Sequence, residues 1–247
     1  MKIYKYHGCE NSFLIMDTLK EKATKEKVID LCQKYETDGL LLVDKAKVRI
    51  YNCDGSEASM CGNGLRCLTN YLYSCEKKAE YKIETNSGEY VCKVLNERPF
   101  ISSVLFKNVR AHENYLKRGL VIDNKIFTFS LIYAGVWHAI FMNDICDAYY
   151  NKIVNHDFFK DKVNVDFVEI ISPEIVRLQT YEVGVGLTKS CGSGAVATFY
   201  LLHNYYDFKD ELKVITDGGS LMVLQAERDI ELVGPSKFME TIEDEAE

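Results

Sequence analysis

Met60-Cys61-Gly62-Asn63-Gly64 and Ser190-Cys191-Gly192-Ser193-Gly194 are two copies of one pattern, a cysteine followed by a Gly-x-Gly turn. Each opens a long apolar segment, Gly62 to Tyr73 in one case and Gly192 to Tyr205 in the other. Those apolar stripes predict two helices that sit inside something larger. One copy falls in each half of the chain, among short runs of β character, and the duplication predicts two similar α+β lobes.

The flanking runs are Lys2 to Tyr6, Ser12 to Asp17, Gly39 to Val43, Lys47 to Asn52, Glu80 to Thr85, Glu89 to Val94 and Ile101 to Phe106 in the first half. In the second half they are Lys125 to Tyr133, Trp137 to Met142, Val163 to Ile171, Ile175 to Glu182, Leu212 to Thr216, Ser220 to Gln225 and Asp229 to Val233. Their alternation and β-branched content predict strands. Thr24 to Tyr35, with Val28, Ile29, Leu31 and Cys32 between charges, predicts a surface helix. The charged stretch from Val109 to Arg118 is the natural boundary, which places the lobes at residues 1–112 and 113–235.

At 247 residues and 47% apolar content the chain buries a substantial core. A formal net charge of −7 supplies no basic face for a phosphate backbone, so no nucleic-acid partner is expected. The start, Met1-Lys2-Ile3-Tyr4-Lys5-Tyr6-His7, lacks an apolar leader core, and the most apolar stretch, Ser130 to Met142, is too short to span a bilayer. A cytoplasmic protein without a membrane partner is expected. Nine cysteines, an odd number, with no Cys-x-x-Cys pair and five scattered histidines, argue for reduced thiols rather than disulfides or zinc. Most of these cysteines read as small buried hydrophobes.

Cys61 and Cys191 stand apart because of where they sit. A thiol at a helix N-terminus faces unpaired backbone N–H groups and the positive end of the macrodipole, both of which favour thiolate. Glycines beside it let amides approach a ligand closely, and such termini bind carboxylates as they bind phosphates. Two of them facing one another would clamp an α-carboxylate, with a thiolate on one face of Cα and a thiol on the other. Either copy alone reads better as a buried cysteine at a turn; the pair favours chemistry.

The longer stretch Tyr51-Asn52-Cys53-Asp54-Gly55-Ser56-Glu57-Ala58-Ser59-Met60-Cys61-Gly62-Asn63-Gly64-Leu65-Arg66-Cys67 resembles the first signature of the diaminopimelate epimerase family. Tyr181 to Ala195 resembles its second signature. Gly8 to Phe13, Asp217-Gly218-Gly219 and Gly234-Pro235 extend the resemblance over nearly the whole chain. It implies two pseudo-symmetric lobes, each a β-barrel-like sheet around a central helix, with segment 236–247 completing the first lobe. It also implies Cys61 and Cys191 as acid/base thiols without cofactor or metal, and carboxylate-binding amides at Gly62, Asn63, Gly192 and Ser193. His138 and Glu182 match positions that set thiol protonation, and Asn11, Asn52 and Asn164 match substrate-contacting asparagines. Members of the family often dimerise, so a homodimer is expected. Opposed thiols further predict an activity that depends on reductant.

Two departures bear on substrate. The family pattern has an arginine after the glutamate for the distal carboxylate of diaminopimelate, and here the position is Val183. The family also reads Gly-Asn-Pro-His where this chain has Gly135-Val136-Trp137-His138. A buried carboxylate without its arginine loses about 3–5 kcal/mol, which predicts weak turnover of diaminopimelate. An amino acid with an apolar or aromatic body and an N–H fits better, histidine first, packed against Trp137 or Val183, then lysine and ornithine. The alternatives are a diaminopimelate epimerase in which another basic residue replaces the arginine, and a non-catalytic amino-acid binding protein.

Overall fold

The computed structural model describes residues 2–17, 23–142 and 147–243. The chain divides into two compact units, Met1–Leu105 with Val233–Glu247, and Phe106–Leu232. In chain order the elements are β1 (Lys2–Gly8), β2 (Asn11–Met16), α1 (Lys25–Lys34), β3 (Gly39–Asp44), β4 (Lys47–Asn52), β5 (Glu57–Ala58), α2 (Gly62–Glu76), β6 (Glu80–Thr85), β7 (Gly88–Glu97) and β8 (Phe100–Phe106). After a short β9 (Arg110–Ala111) and β10 (Arg118–Ile122) come β11 (Lys125–Tyr133), β12 (Trp137–Phe141), α3 (Asp147–Val154), β13 (Asn164–Ser172), β14 (Ile175–Glu182), β15 (Gly186–Thr188), α4 (Gly192–Tyr205), β16 (Glu211–Thr216), β17 (Gly219–Ala226), β18 (Asp229–Pro235) and β19 (Lys237–Glu243).

The order β1-β2-α1-β3-β4-β5-α2-β6-β7-β8 recurs as β11-β12-α3-β13-β14-β15-α4-β16-β17-β18. Pairing repeats with it. β1–β2 is antiparallel, β2–β3 parallel, β3–β4 antiparallel, β4–β6 parallel and β6–β7 antiparallel. β11–β12, β12–β13, β13–β14, β14–β16 and β16–β17 follow the same sequence of senses. The duplication inferred from two cysteine motifs therefore extends to the order and pairing of the elements around them.

Outside the repeat, β9 pairs with β11 and β10 with β11, so Arg110 to Ile122 joins the second unit rather than ending the first near residue 112. β19 pairs with β1 along Lys2↔Glu243 to His7↔Lys237, which ties the C-terminal segment to the first unit; residues 244–247 of that segment lie outside the described ones. β19 escapes a pattern reading because it has no buried face: Lys237 to Glu243 are exposed except a half-buried Ile242.

α1 starts at the N-cap Thr24, whose hydroxyl accepts from Lys27 N at 3.3 Å, and turns Val28, Leu31 and Cys32 onto an aliphatic core with Ile3, Leu14, Leu40 and Leu42. The equivalent place in the second unit holds an aromatic core of Phe127, Phe129, Phe141, Phe159 and Phe167, joined by Ile153 and Val154 of α3. α2 packs against β1, β2, β7 and β19, and α4 against β11 to β14 and β17. Both are buried over their first two turns; α4 is apolar nearly all round, whereas α2 buries Asn63, Arg66 and Thr69 among its apolar residues. Among the described residues no helix is long and apolar enough to cross a membrane.

Candidate active site

Cys61 is the N-cap of α2, extended at φ −148° and ψ 114°, and its Sγ accepts from Gly64 N at 3.4 Å. It is half-buried. Behind it Arg66 is fully buried and donates through Nη1 to Gly62 O at 3.3 Å and through Nη2 to Asn63 Oδ1 at 2.7 Å. Asn63 in turn donates through Nδ2 to Asn11 Oδ1 at 3.2 Å. No carboxylate of the described residues pairs with Arg66, and its Nε has no partner. The structure thus brings Asn11, Gly62 and Asn63, which the sequence reading had placed in different groups, together at the head of the helix that Cys61 caps.

Cys191 is the N-cap of α4 in the same conformation, φ −124° and ψ 113°, and its Sγ accepts from Gly194 N at 3.4 Å. Its surroundings differ. Asp166 Oδ2 lies 2.6 Å from His138 Nδ1, and Asp166 Oδ1 accepts from Thr180 Oγ1 at 2.6 Å. A carboxylate only accepts, so Nδ1 carries a proton; in the neutral ring Nε2 then accepts from Ser193 Oγ, 3.0 Å away. Ser193 Oγ is 3.4 Å from Cys191 Sγ. The Glu182 carboxyl accepts from Thr188 Oγ1 at 2.7 Å, and its charge acts on the Cys191 thiol. The thiol proton therefore has the Ser193 hydroxyl as an acceptor in reach.

Burial pushes the Cys191 thiol well above its ordinary range, reinforced by the charges of Glu182 and Asp166 and opposed by its hydrogen bonds with Ser193 and Gly194 N. Burial also raises Glu182, against the Thr188 bond and the nearby imidazole. At neutral pH Cys191 rests as a thiol. Elsewhere Cys67 and Cys92 are fully buried, with Cys92 pushed up to about 12 by desolvation; these are packing residues. Cys146 lies outside the described residues.

The remaining sequence candidates separate. Asn164 lies on the His138 side of β13, and its Oδ1 accepts from Val183 N at 3.0 Å. Val183 lines a cavity of about 320 Å³ with Val165, Tyr181, Gly184, Asn155, Lys160 and Asp161. Asn52 is held in a turn, its Nδ2 donating to Ser56 Oγ at 3.0 Å. Trp137 precedes His138 on β12 and so points to the opposite face, where it packs on the aromatic core against His112, Tyr133 and the Arg110 guanidinium. It is not among the residues lining the cavity beside Val183.

A family model described as diaminopimelate epimerase matches residues 3–105 and 135–239. The chain belongs to the diaminopimelate epimerase family. It is 32% identical to a diaminopimelate epimerase of Caldanaerobacter subterraneus subsp. tengcongensis, covering 80% of this chain and 82% of the relative. It is 33% identical to that of Bacteroides thetaiotaomicron, covering 90% and 89%. The structure of a hydroxyproline epimerase from Agrobacterium vitis superposes with a TM-score of 0.72 at 15% identity, over 98% of this chain and 90% of that one, which speaks for the fold. As a member of this family the chain is an isomerase of the racemase and epimerase class.

For a diaminopimelate epimerase family member, the sequence reading missed Asp166, Thr180, Thr188 and Arg66. Asp166 was within reach: it follows Asn164 by two on β13 and so shares its face. Thr180 precedes Glu182 by two on β14 in the same way. Arg66 lies inside the first signature, but a charge in an apolar helix carries no signal of what it bonds.

Proposed function

We propose that this chain inverts the Cα centre of an amino acid by a two-base exchange between Cys61 and Cys191, without a cofactor. One sulfur as thiolate takes the Cα proton, so that the C–H bond breaks and an S–H bond forms while charge develops on the α-carboxylate. The other thiol gives its proton to the opposite face, restoring C–H and leaving a thiolate. Amides at the heads of α2 and α4 stabilise the carboxylate as it gains charge. The observation that carries the reading is that both cysteines cap their helices identically, each with a Gly amide on sulfur. A sheet wrapped around each of α2 and α4, the lobe architecture of the family, belongs to this reading and is supported by the burial of both helices. So does a homodimer, which light scattering tests.

Diaminopimelate is the favoured substrate, converted between LL and meso forms. Curated relatives carry that name, and Lys160, which lines the cavity beside Val183 and forms no ion pair among the described residues, is a cation available to a distal carboxylate. Histidine is the second reading, favoured by one observation: Val183 offers no guanidinium where the family pattern has one. The deciding experiment is Cα hydrogen–deuterium exchange in D2O by proton NMR, with reductant and no pyridoxal phosphate, on diaminopimelate, histidine, lysine and ornithine. Exchange on diaminopimelate supports the first reading, and exchange on histidine alone the second. Exchange that survives in both Cys61→Ala and Cys191→Ala would overturn the two-base reading.

A further inference from the structure

Arg66 is the largest fully buried side chain among the described residues, and burying a guanidinium without a carboxylate is costly. What it bonds explains its presence. A guanidinium has only donors, so the Asn63 atom 2.7 Å from Nη2 has to be the amide oxygen. With its oxygen turned to Arg66, Asn63 aims its NH2 at Asn11, and the Asn11 atom 3.2 Å away has to be an acceptor, again the oxygen. Asn11 is left with its NH2 facing away from Asn63. That group donates to none of the described residues, although Asn11 is only 8% exposed. Without Arg66, either amide would flip at small cost, since oxygen and NH2 are nearly the same shape.

We propose that Arg66 is a positioning residue that sets the polarity of the Asn63–Asn11 chain, so that Asn11 presents an N–H donor beside the head of α2 to a carboxylate oxygen of the substrate. Asn63 stands in the first turn of α2, two residues after Cys61, which places the Asn11 donor next to the backbone amides at the head of that helix. The inference rests on the proposed function, in which those amides receive the substrate carboxylate. Reversal of the chain would turn the Asn11 oxygen toward that carboxylate and repel it.

The test compares Arg66→Met, which removes every donor, with Arg66→Gln, whose amide can still donate to the Asn63 oxygen. KM should rise about tenfold or more in the methionine variant with kcat within about threefold, the size expected for one charge-assisted bond. The glutamine variant should recover most of the loss. Equal loss in both variants, or a fall in kcat at unchanged KM, would overturn the proposal. A ligand-free measurement keeps it separate from the proposed function: by nitrogen-15 NMR, the Asn63 side-chain NH2 should be protected from solvent exchange in the wild type and in Arg66→Gln, and lose protection in Arg66→Met. If the methionine variant does not fold, the wild-type spectrum decides, because a protected Asn11 NH2 beside an unprotected Asn63 NH2 would mean the chain runs the other way.

Discussion

The registers of the two units map one cysteine site onto the other residue by residue, and the mapped positions have opposite character. Phe13 and Gly39 pair across β2 and β3 where His138 and Asn164 pair across β12 and β13. Leu41 opposite Ile50 corresponds to Asp166 opposite Thr180, and Asn52 at the end of β4 to Glu182 at the end of β14. The glycine contacts agree with the mapping: a Cβ at Gly64 would meet Leu41, and a Cβ at Gly194 would meet Asp166. On the strands beside Cys61 the mapped positions are Phe13, Leu41, Ile50 and Asn52, with the Arg66 cation on its helix; around Cys191 they include two carboxylates and an imidazole. A cation favours thiolate and an anion favours thiol. Two equivalent helix heads in a duplicated fold have thus been given different partners, and the carboxylates beside the second favour its thiol form.

The largest expected effect tests that wall directly. A methyl at Gly194 would sit 2.5 Å from Asp166 Oδ1 and 3.0 Å from Thr180 Oγ1, and the carboxylate is pinned by Thr180 and His138. At Gly64 the nearest atom is Leu41 Cδ2 at 3.3 Å, the free end of a flexible side chain. Turnover in Gly194→Ala should fall by about 10²-fold or more, because the imidazole and Ser193 move with Asp166, and Gly64→Ala should stay within about threefold. Equal kcat losses in the two variants would break the comparison.

Next comes Asp166→Asn. Its amide fills the same space but no longer fixes Nδ1 as the protonated nitrogen, so kcat should drop by about 10-fold to 10²-fold, as for other carboxylates that orient a working histidine. A variant with lower Tm and unchanged kcat would make Asp166 a packing group and remove it from the site.

These flanking residues also show how far the sequence was legible. The strands Lys47 to Asn52, Glu80 to Thr85, Lys125 to Tyr133 and Ile175 to Glu182 were readable to the residue, Glu80 to Thr85 most plainly because its burial alternates strictly, and Lys125 to Tyr133, buried on both faces over Phe129 to Ile132, by its β-branched and aromatic run. β19 and α3 were not, the first for lack of any buried face and the second because Asp147 to Val154 is a short helix beneath an aromatic core. Cys61, Cys191 and their glycines were legible as a repeated motif, and His138 and Glu182 only through resemblance. The partners that distinguish the two thiols come from strands distant in sequence, and parallel pairings such as His138 with Asn164 leave no local trace. The same limit applies to Trp137: composition marks it as singular, but strand alternation sends it to the opposite face from His138.

A smaller effect concerns the thiols themselves. Cys191 is 4% exposed and held as a thiol, whereas Cys61 is half-buried. Iodoacetamide at neutral pH should therefore label Cys61 faster than Cys191 by about tenfold or more, since only thiolate reacts. Peptide mapping by mass spectrometry reads the ratio, and Asp166→Asn should narrow it. A faster Cys191 would reverse the assignment of roles.

The smallest effect belongs to Thr188→Val, and it isolates a carboxyl of the second site whose counterpart in the first, Asn52, does not ionise. The Thr188 hydroxyl donates to Glu182 Oε1 and so favours the ionised form; without it the Glu182 carboxyl, already raised by burial, moves further up. For an acid raised in the folded state, stability is greatest below its unfolded value and declines as pH climbs to the folded value, because ionisation is easier in the unfolded chain. The variant should accordingly lose more Tm than the wild type as pH rises from about 4.3, the ordinary value for glutamate, and the acidic limb of its kcat/KM profile should move to higher pH. Asn52, in the equivalent place beside Cys61, does not titrate, so Asn52→Leu should leave the position of that limb unchanged whatever it does to KM. A limb that moves in the Asn52 variant and stays in the Thr188 variant would place the controlling group on the Cys61 side and invert the asymmetry drawn from the two walls.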